Sequence, residues 1–306
     1  MTTMIRHFVT SISPHNRQLL RQLVFRHTLW SFILFLLASG CRLIPLPAWS
    51  GHLAVALQLV AIAQLLPPLL QLMDEPRRRS FYLAWGVLLL TGLYLLFQLV
   101  RTSALLPLMA LQSGALLFCG ALVGATLARY TRRLRDLVPV AAVIAATDLL
   151  SWLAGPTAGM IPIIDSYYRA PSGPPPLIDL LLVKFALPSP LGLAPLFGIS
   201  DWIMVVFFAV VAKRHGLDDN LFPRRTPLYL PLPVFALTAA LFAAQTSGLF
   251  LPALPIVALI VLVGDFTLWW WQKGRNKSAD DPFSPSQPPP AHGSQRDQQS
   301  ERSDNV

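Results

Sequence analysis

Eight stretches of mainly apolar residues take up most of this chain: 28–46, 51–73, 81–100, 104–128, 137–154, 194–213, 227–248 and 252–272. Each approaches the roughly 20 residues needed to cross the hydrocarbon core of a bilayer as a helix. Of the 306 residues, 54% are hydrophobic and 13% charged, a balance that suits a polytopic membrane protein and excludes a soluble domain of this size. The expectation is an all-α polytopic membrane protein with about eight transmembrane helices. The fifth stretch is short, and Pro67-Pro68 and Pro107 mark kinks or ends. The first 26 residues are polar and basic, and no small-residue cleavage site follows the first apolar run. That run reads as a retained span and not as a cleaved signal.

The net charge of +9 does not point to nucleic acid, because the basic residues fall at the ends of the apolar segments, where they set topology. Alternate connections are basic. The N-terminal arm carries Arg6, Arg17, Arg21 and Arg26; Arg77 to Arg79, Arg129 to Arg135, Lys213 to Arg225 and the C-terminal tail follow the same side. Together these hold 20 Lys and Arg, against four (Arg42, Arg101, Arg169 and Lys184) on the other side. Both termini are therefore expected in the cytoplasm, with an even number of spans, and the compact loops suit a bacterial or archaeal plasma membrane. The chain divides into an arm (1–27), a four-helix membrane region (28–128), a second membrane region (129–272) and a polar, proline-rich tail (273–306) expected to be disordered. Cys41 and Cys119 form no disulfide framework and no metal spacing, so no metal or cofactor is expected.

Three acidic residues lie well inside apolar segments: Asp148, Asp201 and Asp265. A carboxylate at the bilayer centre costs at least about 2.5–3.5 kcal/mol on insertion scales, so each needs a partner or a water-filled cavity. Asp148 follows Leu137 by 11 residues, a depth of about 17 Å at the helical rise, and Asp201 precedes Lys213 by 12, about 18 Å from the same side. On neighbouring antiparallel helices the two groups meet. Two carboxylates in one low-dielectric site hold a single proton between them. That state serves an aspartic protease, a proton relay or ion-coupling site of a transporter, or a structural pair.

Three further features appear in a recognisable order. "AVIAATDLLSWLAGP" carries Asp148, "FGISDWIMVVFFA" carries Gly198, Ser200 and Asp201, and "LPALPIVALIVLV" carries Pro252, Ala253 and Leu254. In this order, with one span between the second and third, they resemble the presenilin and signal peptide peptidase family of intramembrane aspartyl proteases (GxGD type). The resemblance covers roughly Pro139 to Trp271. It implies a presenilin-like bundle, with Asp148 and Asp201 as the catalytic dyad. Gly198, Ser200, Pro252, Ala253 and Leu254 would then lie along the substrate. The partners implied are transmembrane proteins or peptides within the lipid bilayer. Three departures stand out: Thr147 where the family usually has tyrosine, Ser200 in place of the second glycine, and eight spans where nine are common. The charge pattern gives the signal peptide peptidase orientation, which implies substrates with cytoplasmic N-termini.

Other chemistries fit less well. A serine protease built on Ser200 needs a histidine in a later span, and none occurs between His215 and His292. No H-E-x-x-H zinc site is present. A carrier predicts repeated halves, which 28–128 and 137–272 do not show, and a non-catalytic scaffold would leave the aspartates free to vary. Asp265 is expected to serve structure or solvation, near the dyad, paired with an arginine or reaching the inner face. The linker 155–193 contains an apolar run, Leu177 to Leu187, too short to cross; it is expected to lie at the interface or to re-enter as a short extended or helical piece. Trp269 to Trp271, with Tyr82, Trp85 and Tyr130, read as an interfacial aromatic belt.

Overall fold

The computed structural model describes residues 13–43, 50–72, 79–103, 105–189, 191–223, 225–247 and 252–279. Arg6, Arg77, Arg78, Arg224 and tail residues 280–306 lie outside that set, as does the side chain of Tyr82. The chain forms two compact units, Met1–Leu268 and Trp269–Val306. The described part of the second is the end of the last helix, with Trp269, Trp270 and Trp271 exposed.

In chain order the elements are α1 (Pro14–Leu43), α2 (Ser50–Ala63), α3 (Pro67–Leu70), α4 (Arg79–Ser103), α5 (Leu106–Ala128), α6 (Leu137–Ala154) and α7 (Pro156–Arg169). Then come β1 (Leu182–Ala186), β2 (Leu193–Gly198), α8 (Ile199–Arg214), α9 (Leu232–Ser247) and α10 (Ala253–Ala279). Six stretches are helical, long and apolar enough to cross a membrane: Pro14–Leu43, Ser50–Leu70, Leu83–Ser103, Leu106–Ala128, Leu134–Ala154 and Ala253–Trp271. Large apolar side chains cover their outer faces. Leu83, Leu90, Val143 and Leu150 are about two-thirds exposed, a surface that lipid covers and water does not tolerate in such extent. The protein is an integral membrane protein, and it is predominantly helical.

The prolines act where the sequence placed them. Pro107 stands in the first turn of α5, where a missing N–H costs nothing. Pro67 and Pro68 end the continuous helix at Ala63 and open the one-turn α3. The helix expected to end at 272 continues to Ala279, into the segment read as a disordered tail.

The largest departure from the expected all-α fold lies between α7 and α8. The linker holds a helix of its own (α7), a 3-10 turn (Leu177–Leu181) and a two-stranded antiparallel hairpin. Leu182 faces Gly198 and Ala186 faces Leu193, with a shift in register between Val183 and Lys184. The expected sixth span, 194–213, therefore begins as a strand. Pro195 has no N–H for a helical ladder, and helix starts only at Ile199. At 16 residues each, α8 and α9 are about 24 Å long, short of the roughly 30 Å hydrocarbon core.

Helix α5 is the central post of the first unit, packed by α1, α4, α8 and β1. Small residues set its spacing. A Cβ on Gly124 would stand 2.5 Å from the carbonyl oxygen of Ile203, and one on Gly120 would stand 2.9 Å from the Trp202 ring. Helices α5 and α8 thus approach more closely than a side chain would allow. The fully buried Trp202 donates its indole N–H to the Leu117 carbonyl at 2.9 Å.

The hairpin is held from inside. Gln58 of α2 pairs with Ala186 as a neighbouring strand would, donating Nε2–H to the carbonyl and accepting the amide N–H on Oε1, both at 2.9 Å. Ser113 of α5 accepts the Lys184 N–H at 3.0 Å. Side chains therefore occupy the inner edge of β1. The outer edge of β2 has no third strand among the described residues. At the turn, Gly192 has φ +68° and presses on the Ala38 carbonyl of α1, where no other residue fits.

Candidate active site

Asp201 is not in the middle of a helix. It occupies the first turn of α8, three residues after Gly198, the last residue of β2. Its Oδ2 accepts the Gly198 N–H at 2.9 Å, which closes the strand-to-helix junction as an N-terminal cap. The short apolar run ahead of it misled the sequence reading, because a buried strand and a buried helix look alike in hydropathy. The carboxylate sits where the exposed N–H groups of the helix favour negative charge.

Asp148 lies two-thirds along α6, half-buried, and its Oδ2 accepts the Leu254 N–H at 3.2 Å. Leu254 is the second residue of α10. Pro252 and Pro255 have no amide hydrogen, so the donors left in the first turn of α10 are few, and one of them is aimed at Asp148. Each carboxylate thus faces a helix N-terminus: Asp201 that of its own helix, Asp148 that of α10.

The two carboxylates lie within electrostatic reach of each other. Their helices do not pack as the adjoining pair that equal depth suggested. The main neighbours of α8 are α5 and α9, and α6 packs chiefly on its 3-10 lead-in and on α7. Hydrogen bonds therefore join Asp201 to Gly198 and Asp148 to Leu254, and Pro252 and Ala253 lead into the turn that holds Leu254. Ser200 is exposed on the first turn of α8, next to Asp201. Thr147 turns back on its own helix and donates to the Val143 carbonyl at 2.7 Å.

Two polar clusters escaped the sequence reading. The first lies under the hairpin. Lys184 and Asp179, both 0% exposed, form an ion pair at 2.5 Å. Tyr168 of α7 donates to the other Asp179 oxygen at 2.6 Å, and the Lys184 ammonium also donates to Gln112 Oε1 of α5 at 3.1 Å. Burial pulls the Lys184 ammonium below its ordinary value while Asp179 draws it back, and burial, then Asp179, pushes the Tyr168 hydroxyl up. The signal was in the run "LIDLLLVKF", whose only two charges are opposite in sign and meet across the turn.

The second cluster joins the α8–α9 connection to α10. Asp265, expected near the dyad, paired with arginine or reaching the inner face, is 0% exposed, and neither of its oxygens has a hydrogen-bond partner among the described residues. Among the described residues, the charge that acts on it is that of Asp219. Burial pushes the Asp219 carboxyl up to about 7, with the Tyr229 hydroxyl and Lys213 opposing and Asp218 adding to the shift.

Comparison with known protein families, with curated proteins and with solved structures finds no match.

Proposed function

We propose that the chain is an intramembrane aspartic endopeptidase that hydrolyses peptide bonds within or next to transmembrane segments of other membrane proteins. The observation that carries this reading is the hydrogen bond from the Leu254 amide to Asp148, with Asp201 close enough to Asp148 for their charges to interact. Support comes from the hydrogen bond that ties the first of the sequence features resembling the presenilin and signal peptide peptidase group to the third, and from the charge interaction that links the first to the second.

The chemistry follows from two carboxyl groups holding one proton. The ionised group takes a proton from a water molecule, whose oxygen attacks the substrate carbonyl carbon, while the protonated group hydrogen-bonds the carbonyl oxygen. As the C–N bond breaks, the leaving amine takes up a proton from the pair. A helical substrate must first be unwound, because its peptide groups are already hydrogen-bonded. The outer edge of β2, leading directly into Asp201, and the proline-interrupted start of α10 supply backbone groups for an extended strand. In this reading α8 and α9 complete eight spans, both termini are cytoplasmic, the membrane is the plasma membrane, and substrates enter with cytoplasmic N-termini.

Purified protein in liposomes with a single-span reporter tests this. Wild-type protein is expected to cut the reporter, and Asp148→Asn or Asp201→Asn to lower the rate by about 10²-fold or more with unchanged Tm. Undiminished cutting in either variant removes the proposal. Ion flux without any cleavage would assign the pair to transport.

A further inference from the structure

The connection between α5 and α6 concentrates positive charge in a place that the proteolytic reading does not use. Arg129, Arg132, Arg133 and Arg135 stand there with a single acid, Asp136. The flanking stretches that are long and apolar enough to cross a membrane are Leu106–Ala128 and Leu134–Ala154, so only residues 129–133 separate them. Even fully extended, a link from 128 to 134 covers about 20 Å, and having to return it rises about half of that. It is not extended: the Tyr130 and Thr131 N–H groups donate back to the Leu127 and Ala128 carbonyls at 3.1 and 3.3 Å. The headgroup layer on each side of the hydrocarbon core is about 5–8 Å deep. These arginines therefore stay at headgroup level. Tyr130, 80% exposed, stands at the same level, where an amphipathic ring is at home.

The connection is folded, not slack. Asp136 Oδ2 accepts the Arg132 N–H at 3.3 Å and the Arg133 N–H at 2.9 Å, and the Asp136 N–H donates to the Arg133 carbonyl at 2.9 Å. The 3-10 turn Leu134–Asp136 is pinned by Leu134, which is buried. Arg214 at the end of α8 donates from Nη1 to the Ala128 carbonyl at 3.1 Å, which ties down the end of α5. The one acid is thus engaged by backbone. The side chains of Arg132, Arg133 and Arg135 are exposed on either side of Leu134, and none of the three forms an ion pair among the described residues.

We propose that Arg132, Arg133 and Arg135 bind the headgroup of an anionic phospholipid. A guanidinium is always charged and offers a planar fork of donors that matches phosphate oxygens two at a time. A lipid is favoured over a soluble phosphate because the connection is held at headgroup level, with apolar surface directly below it: Leu127, on the last turn of α5, is 45% exposed. An anionic lipid is favoured over a zwitterionic one because a cluster of arginines attracts net negative charge and repels the ammonium of a choline headgroup. This site is separate from Asp148 and Asp201 and stands whether or not the chain is a protease.

The test uses the full chain in non-ionic detergent at low salt, titrated with phosphatidylglycerol or with phosphatidylcholine of the same acyl chains and read by native mass spectrometry. The wild type is expected to hold phosphatidylglycerol about a hundredfold more tightly, with each of Arg132→Gln, Arg133→Gln and Arg135→Gln lowering that preference about fivefold and the triple variant abolishing it. Because the three side chains are exposed, Tm is expected to stay unchanged. Arg42→Gln with Arg101→Gln, in the last turns of α1 and α4, is expected to keep the preference. Equal retention of the two lipids by the wild type would overturn the proposal, as would a preference that survives the triple variant or falls equally in the Arg42 and Arg101 control. Displacement of the lipid by millimolar inorganic phosphate would assign the arginines to a soluble anion and overturn it too.

Discussion

The Lys184–Asp179 pair shows how one residue can hold a segment of chain that hydropathy leaves undefined. Both side chains are withdrawn from water, so their attraction is weighed against a large desolvation cost, repaid only because Tyr168 and Gln112 complete the hydrogen bonding. Removing one partner leaves the other buried and charged. Lys184→Met is expected to lower stability by about 3–5 kcal/mol, measured by thermal or denaturant unfolding in detergent. Replacing both members, Lys184→Met with Asp179→Leu, is expected to recover much of that loss, because no isolated charge remains. A double variant no better than the single one would show that the ion pair itself, and not the orphaned carboxylate, carries the effect. The same logic separates the buried acids: Asp148 and Asp201 each have a backbone donor, and Asp265 has none among the described residues.

At the scale of elements, the hairpin is stabilised by side chains that stand in for strands. Gln58 supplies both hydrogen bonds that a third strand would make with Ala186. Gln58→Leu leaves a buried N–H and a buried carbonyl without partners, at about 1–3 kcal/mol each. Hydrogen exchange is expected to be faster at Ala186 and its neighbours in β1, with little change in α4. Unchanged exchange across β1 would mean the pairing contributes nothing to the hairpin. The helices were legible in the sequence because a membrane-spanning helix has a length requirement that few other apolar runs meet. The hairpin was not. Its strands are short apolar runs that read equally as the start of a helix, and the contact that fixes β1 joins residues 128 apart in the chain. Asp201 was consequently placed in mid-span when it caps a helix. The acids of the candidate site were conspicuous because charge is rare in such runs, whereas Asp219, in the polar stretch "GLDDN", had nothing to distinguish it from an ordinary loop acid.

At the scale of the whole molecule, the short helices and the position of the acids belong together. Helix α8 is about 24 Å long and starts at the junction that holds Asp201, so the chain ahead of it is a hairpin and not lipid-facing helix. Non-helical backbone at membrane depth persists only when protein covers it or it lines a water-filled cavity. Gln58, Ser113 and the α5 packing cover β1, and the outer edge of β2 has no strand against it among the described residues. This makes the orientation of α6 and α8 testable without any substrate. In the proposed orientation, with the basic connection 129–135 in the cytoplasm, α6 would lead outward, the α7 and hairpin segment would lie on the far side, and α8 would return toward Lys213 and Arg214. In a chain lacking Cys41 and Cys119, a single cysteine at Tyr130 is expected to react with an impermeant thiol reagent only in inside-out vesicles. A cysteine at Ser172 is expected to react in intact cells. A cysteine at the exposed Thr226 should follow Tyr130, because in this orientation α8 separates it from Ser172. Labelling of Ser172 and Thr226 from the same side would mean that α8 does not cross. Asp201 would then sit at the rim of the membrane, and water would reach the acid pair from the surface without any cavity at depth.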